Sequence, residues 1–295
     1  MPTMSLELGE PTLAITKMKR GLLAGYRKIN ENNVALMDPG SSRVETLEAA
    51  HRARAPSVVK GTRIRGITTP DDMFKVREEM RYHGMTEDQQ RSSHYYDTAQ
   101  AQIPKLLEEC KSAIAGIGDG VAQLAELYAG PAVVSTLASH QGFKVVVTVE
   151  RNGALFDKSL TNFKKYGFKG TTAIMARFSL NNILPLANAH VVYCNPATAR
   201  SQDVWIVRGF ALHTVIECLL CIHSESSVIL LVLTEHATEV TEDVCKELGF
   251  LTTQVIRKDP VAILKRHGIE GGERVNRNMH VLKITIKVDQ LSERS

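Results

Sequence analysis

The stretch that decides the fold runs from Val121 to Gly167. It opens with the apolar run VAQLAELYAG (121–130), passes through small residues and a helix-like segment, and includes the apolar run FKVVVTVE (143–150). A strand, a tight turn, a helix and a second strand that ends on an acid form the layout of a nucleotide-binding βαβ unit. In such a unit the turn brings backbone N–H groups close to the ligand. An acid such as Glu150 accepts hydrogen bonds from both ribose hydroxyls.

From this stretch to the C-terminus, strand-like and helix-like segments alternate. Apolar runs bounded by turn residues predict strands at 123–128, 144–149, 171–176, 190–194, 228–234, 252–256 and 280–288. Helical spacing of apolar residues predicts helices at 133–140, 155–166, 204–222 and 239–248. The alternation predicts a doubly wound α/β domain with a mostly parallel, seven-stranded sheet. The segment between the last two strands leaves little room for a crossover helix, so we expect an antiparallel last strand.

The N-terminal part of the chain has a different character. Residues 1–70 lack sustained periodicity and are rich in Gly, Pro, Asn, Ser and Arg, which predicts a largely flexible or irregular basic arm that includes short helical pieces. Capping and periodicity signals predict a helical extension over residues 71–118, with helices near 71–81 and 99–115. The α/β domain is then expected over residues 119–289.

Composition bounds the classes of function. With 36 Lys and Arg against 32 Asp and Glu, the net charge is only +4, and the excess bases cluster at 43–65 and 257–277. Each cluster is either a solvated surface or a phosphate-binding patch. Five cysteines without framework spacing favour a soluble protein of a reducing compartment, the nucleus or cytoplasm. The longest apolar run, VILLVL (228–233), is too short for a membrane span. The spacing of Cys218 and Cys221 suits a buried helix face, so no metal site is predicted.

Four short motifs follow the predicted strands in order. The first strand and its turn read Glu126-Leu-Tyr128-Ala-Gly130-Pro-Ala, and the second strand ends on Glu150. The next helix contains Asn162 before a Tyr-Gly end, and the fourth strand ends in Asn195-Pro196. In order and spacing, residues 81–288 resemble the class I methyltransferase domain of RNA-cap guanine-N2 methyltransferases, the trimethylguanosine synthases.

The resemblance implies S-adenosylmethionine as the cofactor. Glu126 would face the methionine ammonium, and Tyr128 and Gly130 would belong to the turn around the cofactor. Glu150 would hold the ribose, with Asn162 on the helix that follows.

Two positions depart from the family pattern for the cofactor. Ala132 replaces the second glycine of the turn, and its Cβ is expected to crowd the ligand. Arg177 stands where the family has an acid that accepts from the adenine amine, and an arginine has only donors.

The resemblance also implies the acceptor site. Asn195 and Pro196 match the motif with which amino-group methyltransferases orient the target amine, whereas the following Ala197 and Thr198 lack its second proline and its aromatic residue. Tyr95 and Tyr96 occupy the place of an aromatic pair that shapes the substrate site. Trp205, the only tryptophan, would stack on the base or pack at a helix start.

The leading hypothesis is therefore methyl transfer to the exocyclic N2 amine of the 5′ cap guanine of an RNA (snRNA, snoRNA or mRNA). A rival hypothesis is a catalytically inactive protein of the same fold that binds RNA or a protein partner as a scaffold. A third is a methyltransferase that acts on an amine of rRNA, tRNA, DNA or protein.

Overall fold

The computed structural model describes residues 11–24, 57–63, 72, 80, 108–112, 115, 122–150, 153–176, 187–196, 204–263, 275–287 and 289. Its described strands are β1 (Ser57–Lys60), β2 (Gln123–Leu127), β3 (Val145–Val149), β4 (Thr172–Ala176), β5 (Val191–Cys194), β6 (Val228–Thr234), β7 (Leu251–Ile263) and β8 (Val275–Ile286). The helices used below are α1 (residues 13–24), α2 (Val133–Ala138), α3 (Gly153–Tyr166), α4 (Val204–Cys221) and α5 (Glu235–Leu248). Residues 108–112 are also helical.

All eight strands form one sheet in the order β1-β4-β3-β2-β5-β6-β8-β7. Strands β2 to β6 pair in parallel, and β8 lies antiparallel between β6 and β7. The predicted doubly wound α/β class and the antiparallel last strand are confirmed. The eighth strand, β1, was not predicted, and it pairs antiparallel with β4 at the sheet edge.

Alternating side chains along the strands pack into two separate hydrophobic cores, one on each face of the sheet. In β6, Ile229, Leu231 and Leu233 pack with α1, α4 and α5, whereas Val228, Leu230 and Val232 pack with α2 and α3. Because both faces are covered, the parallel strands read as continuous apolar runs rather than as alternating ones. This burial on both faces fixes the register, so the residues that follow each strand end meet at one edge of the sheet.

Parts of the predicted irregular arm are ordered against this sheet. Ile15 of α1 is fully buried in the core, and Lys19 donates a hydrogen bond to Asn188 Oδ1 at 3.1 Å. A short helix such as α1 fits the helical pieces expected in residues 1–70, whereas strand β1 was not expected there. The reason is that four residues suffice for an edge strand once β4 supplies the partner backbone, and so short a segment gives no periodic signal.

Candidate functional site

The candidate site lies where the strand order reverses. Strand β2 lies between β3 and β5, and Leu127 at its end is in register with Val149 and with Cys194. Ligands of open α/β sheets bind in the crevice outside the carboxyl ends of the strands at such a switch point. The three residues that follow these ends, Tyr128, Glu150 and Asn195, therefore start side by side from three adjacent strands.

The turn between β2 and α2 has an unusual backbone. Tyr128, Gly130 and Ala132 have φ angles of 56°, 55° and 56°, in the left-handed region. Glycine adopts this region freely, whereas a tyrosine or an alanine there is disfavoured by roughly 1–2 kcal/mol. The turn thus keeps a glycine-type conformation at Ala132, where the family pattern has its second glycine. The Ala132 side chain is fully buried in the core beside α2 and α3.

Glu150 and Gly130 lie together, as the motif spacing predicts. Gly130 N–H donates to Glu150 Oε2 at 2.7 Å, and Glu150 is only 8% exposed. The carboxylate therefore lies against the turn, at the carboxyl edge of β3. A bond from a neutral donor to a charged acceptor contributes about 1.5–3 kcal/mol.

Glu126 is buried on the face of β2 that packs against α2. Its Oε2 accepts a hydrogen bond from the backbone N–H of Ser135, the third residue of α2, at 2.8 Å. Ala132, at the N-cap of α2, has no side chain that could satisfy this donor, so the glutamate does. Burial raises the pKa of Glu126 to about 7, although both hydrogen bonds from Ser135 act in the opposite direction.

Asn162 holds the turn from the other side. Its Nδ2 donates to the Pro131 carbonyl at 2.7 Å and to the Met80 carbonyl at 2.9 Å, and the residue is 1% exposed. The position predicted for cofactor contact therefore also braces the backbone of the turn from α3.

Sequence reasoning missed the contacts of the Tyr128 side chain. The Tyr128 hydroxyl donates to Glu217 Oε2 at 2.5 Å, and its ring lies 6.4 Å from the ring of Phe210. Glu217 Oε1 lies 3.2 Å from Nε2 of His213. Burial, and next to it the Glu217 carboxylate, raises the pKa of Tyr128, so the hydroxyl remains a donor at neutral pH. The overlooked signal was Glu217 itself, because an acid inside the apolar run VIECLLC needs a buried partner.

On the acceptor side, the structure describes fewer of the predicted residues. Asn195 is half-buried and Pro196 is buried directly after β5. Trp205 lies in the first turn of α4, where its side chain is outside the described part. Tyr95, Tyr96 and Arg177 lie outside the described residues.

A cavity opens between α4, β6 and α5, at the carboxyl end of β6. It has about 390 Å³ of empty space, including its open mouth, and Phe210, Leu233 and Thr234 are among its lining residues. Phe210 also contacts the ring of Tyr128, so the cavity adjoins the turn.

Cys218 and Cys221 are fully buried in the core, as their helical spacing indicates. Within the described residues, no group of three or more His, Cys, Asp or Glu side chains is arranged to hold a metal ion. No helix of that same part is long and apolar enough to span a membrane.

The structure describes two bases of the cluster at 43–65. Arg63 lies with its guanidinium 5.8 Å from the ring centroid of Tyr166, and Lys60 is exposed at the end of β1. Arg63 thus lies over a side chain of α3, and both bases remain exposed to solvent.

The chain matches no family model and no curated protein. Among solved structures, it is similar to a candidate RNA methyltransferase from Pyrococcus horikoshii, with 17% identity and a TM-score of 0.48 over 76% of this chain and 99% of that one. A precorrin-6y C5,15-methyltransferase from Geobacter metallireducens shares 18% identity over 68% of this chain and 97% of that one, with a TM-score of 0.40. A candidate SAM-dependent methyltransferase from Streptococcus mutans shares 10% identity over 61% of this chain and 48% of that one, with a TM-score of 0.41.

The sheet has the antiparallel strand near its C-terminal edge that the sequence predicts, with β8 between β6 and β7. The fold is a doubly wound, Rossmann-like α/β fold. Strand β1 is an addition at its edge.

Proposed function

We propose that this protein is an S-adenosylmethionine-dependent methyltransferase that acts on an exocyclic amine of RNA. The observation that supports this proposal is the placement of Glu126, Glu150 and Asn195 on three adjacent strand ends at the switch point. The resemblance of the motifs names the acceptor as the N2 amine of the 5′ cap guanine. Capped RNA as substrate agrees with a protein of the nucleus or cytoplasm.

The residues at this edge fit the cofactor chemically. The Glu150 carboxylate lies against the glycine turn, and a carboxylate has enough lone pairs to accept from two vicinal hydroxyls. Glu126 is a buried acid whose charge is costly when unpaired, so a cationic ammonium nearby would stabilise its ionised form. A carboxylate would thus be available for the ribose hydroxyls at Glu150 and for the amino-acid ammonium at Glu126.

When bound, S-adenosylmethionine would supply an electrophilic methyl group. The residues of the chain would then position the nucleoside and the target amine. Gly130 and Glu150 would define the place of the nucleoside, and Asn195 would accept a hydrogen bond from the target amine through its side-chain oxygen, which directs the nitrogen lone pair. Buried Pro196 would hold the strand end and exclude water.

A second candidate function is a scaffold that keeps the fold and binds RNA or protein without catalysis. One observation favours it, because the polar groups of the turn are satisfied from within the chain. Gly130 N–H bonds to Glu150, the Pro131 carbonyl to Asn162, and Ala132 N–H to the Ala129 carbonyl. A cofactor would then bind through the lone pairs that these bonds leave free, or by replacing one of the bonds.

Isothermal titration with S-adenosylhomocysteine tests the proposal. Micromolar binding by the wild type, weakened about 10- to 150-fold in Glu150→Ala, is expected from the loss of a charged hydrogen-bond acceptor. Asp157→Asn is the matched control, since Asp157 is an exposed acid on α3, the helix that follows Glu150. Absence of binding at millimolar ligand overturns methyl transfer and leaves the scaffold.

The acceptor is tested separately. Transfer of a labelled methyl group to capped RNA, with uncapped RNA of the same sequence as control, is expected for the wild type. Asn195→Ala should abolish transfer and leave S-adenosylhomocysteine affinity unchanged. Equal transfer to both RNAs would contradict the cap and favour another amine of RNA.

A further inference from the structure

Tyr128 holds a strained backbone at the centre of the candidate site. It directly follows β2 and has φ of 56°, a conformation that a bulky residue rarely adopts. Such conformations persist only where surrounding contacts over-determine them, and they concentrate at functional sites. Tyr128 bonds to the Glu217 carboxylate and lies beside the Phe210 ring, both on α4, and its side chain also packs against the core on that face of the sheet.

Glu217 is an unexpected residue at its position. It is 4% exposed on a helix that is otherwise mostly apolar, and each carboxylate oxygen has a partner, Tyr128 for Oε2 and His213 for Oε1. Replacing a buried, paired charge by an apolar residue of similar volume often leaves stability unchanged or raises it. Packing therefore gives no reason for a glutamate here, whereas the hold on Tyr128 does.

We propose that Glu217 is a positioning residue: through the Tyr128 hydroxyl it holds the turn of residues 128–132 in the conformation that directs the Gly130 amide to Glu150. His213, which is half-buried on the preceding turn of α4, orients the carboxylate from its other oxygen. The identity of the ligand that binds at this turn rests on the proposed function. The positioning of the turn by Glu217 does not depend on that function.

The same contact joins the two halves of the site. Strand β5 ends at Cys194, directly before Asn195, the proposed acceptor residue, and α4 is the next described element of the chain. Glu217 on α4 bonds to the first residue of the cofactor turn.

Amide hydrogen exchange of the ligand-free protein tests the hold on the turn. The exchanging groups are the N–H of Ala129, Gly130 and Ala132, whose hydrogen bonds define the turn. In Tyr128→Phe and in Glu217→Leu they should exchange about tenfold faster, the effect of losing one hydrogen bond to a charged group. The double variant should show the same tenfold rise and not a hundredfold one, because both changes remove one interaction.

Two controls separate positioning from general destabilisation. Thr214→Val alters a buried residue one turn from Glu217 whose hydroxyl has no partner among the described residues, so exchange in the turn should stay unchanged. Glu217→Gln keeps an acceptor for Tyr128 and should restore most of the protection. The double variant should melt near the wild-type temperature, since both partners of the buried bond are removed together.

The outcomes for this inference and for the proposed function are distinct. Unchanged exchange in Glu217→Leu overturns the positioning role, whether or not the wild type binds S-adenosylhomocysteine. Faster exchange in Glu217→Leu, with no binding of S-adenosylhomocysteine by the wild type, supports the positioning role and contradicts the proposed cofactor. Faster exchange together with tenfold weaker S-adenosylhomocysteine binding in Glu217→Leu supports both.

Discussion

Gly130 N–H donates a 2.7 Å hydrogen bond to Glu150 Oε2, and this contact ties the end of β3 to the turn that follows β2. The two residues are 20 positions apart in sequence and belong to neighbouring strands. Because both are buried, the bond replaces hydration of the carboxylate and of the amide. The glutamate therefore has a structural role besides the ribose contact proposed for it.

Glu150→Ala and Glu150→Gln separate these two roles. We expect the alanine variant to lose about 1–3 kcal/mol of unfolding free energy, since the Gly130 amide stays buried without an acceptor. The glutamine variant should lose less than about 1 kcal/mol, because its side-chain oxygen still accepts from Gly130. Urea denaturation of the three proteins measures this, and an equal loss in both variants would contradict the structural role of the oxygen.

Glu126 should make stability depend on pH. Burial raises its pKa in the folded protein from the ordinary 4.5 to about 7, so the folded state binds this proton more tightly than the unfolded state. The contribution is fully present below pH 4.5 and is lost as the pH rises to about 7, a decrease of about 3 kcal/mol.

Denaturation at a series of pH values checks this dependence. Glu126→Gln should flatten the slope between pH 4.5 and pH 7, because the amide keeps an acceptor for Ser135 N–H and does not titrate. Glu239→Gln on the exposed face of α5 should leave the slope as it is. An unchanged slope in Glu126→Gln would assign the pH dependence to another group.

Ala132→Gly and Ala138→Gly form a matched pair. Both remove a fully buried methyl group, one at the N-cap of α2 and one in its last turn, at a cost of about 0.8 kcal/mol. At Ala132 glycine also relieves a left-handed conformation, so we expect a net change within about 0.5 kcal/mol. At Ala138, inside the helix, glycine adds about 1 kcal/mol of destabilisation. Thermal and urea unfolding compare the two, and an equal loss would show that the backbone at Ala132 carries no strain.

The same Ala132→Gly variant restores the second glycine of the family motif. If the proposed cofactor binds along the turn, its affinity should be kept or increased. A decrease measured by titration with S-adenosylhomocysteine would show that the ligand needs the Ala132 methyl group.

Asn162→Ala should destabilise the protein by about 2–4 kcal/mol, since it leaves the buried carbonyls of Pro131 and Met80 without their donor. Thr161→Ala is the control on the same helix, because the Thr161 hydroxyl bonds only to the Asp157 carbonyl one turn away at an exposed site. That control should change stability by less than about 0.5 kcal/mol. A small effect of Asn162→Ala, measured by urea denaturation, would mean that the turn keeps its shape without this brace.

Much of the fold was readable from local sequence. Strand β6 has the bounds predicted for it, and β2 to β5 begin or end within one residue of theirs. Helix α5 begins at Glu235, one turn before the predicted Glu239, and β7 extends to Ile263. These differences arise because a polar first turn carries no apolar periodicity, and because a two-stranded ribbon can continue beyond the buried part of the sheet.

Part of the candidate site was also readable. An acid after a buried strand and a glycine in the preceding turn sufficed to place Glu150 beside Gly130, because the carboxyl ends of parallel strands meet at one edge. The same reasoning placed Glu126 and Asn195 at that edge. It did not show that Asn162 donates to the turn, since nothing local specifies which carbonyl a buried amide reaches.

The sequence by itself determined the alternation of strands and helices, the burial of both sheet faces and the acids at the strand ends. These are properties of neighbours within a few residues, where side-chain period and turn chemistry decide the outcome. Only the tertiary structure decided that β1 joins the edge of the sheet, that Tyr128 takes a left-handed conformation and that Glu217 bonds to it across 89 positions of sequence. Such pairings depend on which surfaces meet when the helices pack on the sheet, and no local pattern records that choice.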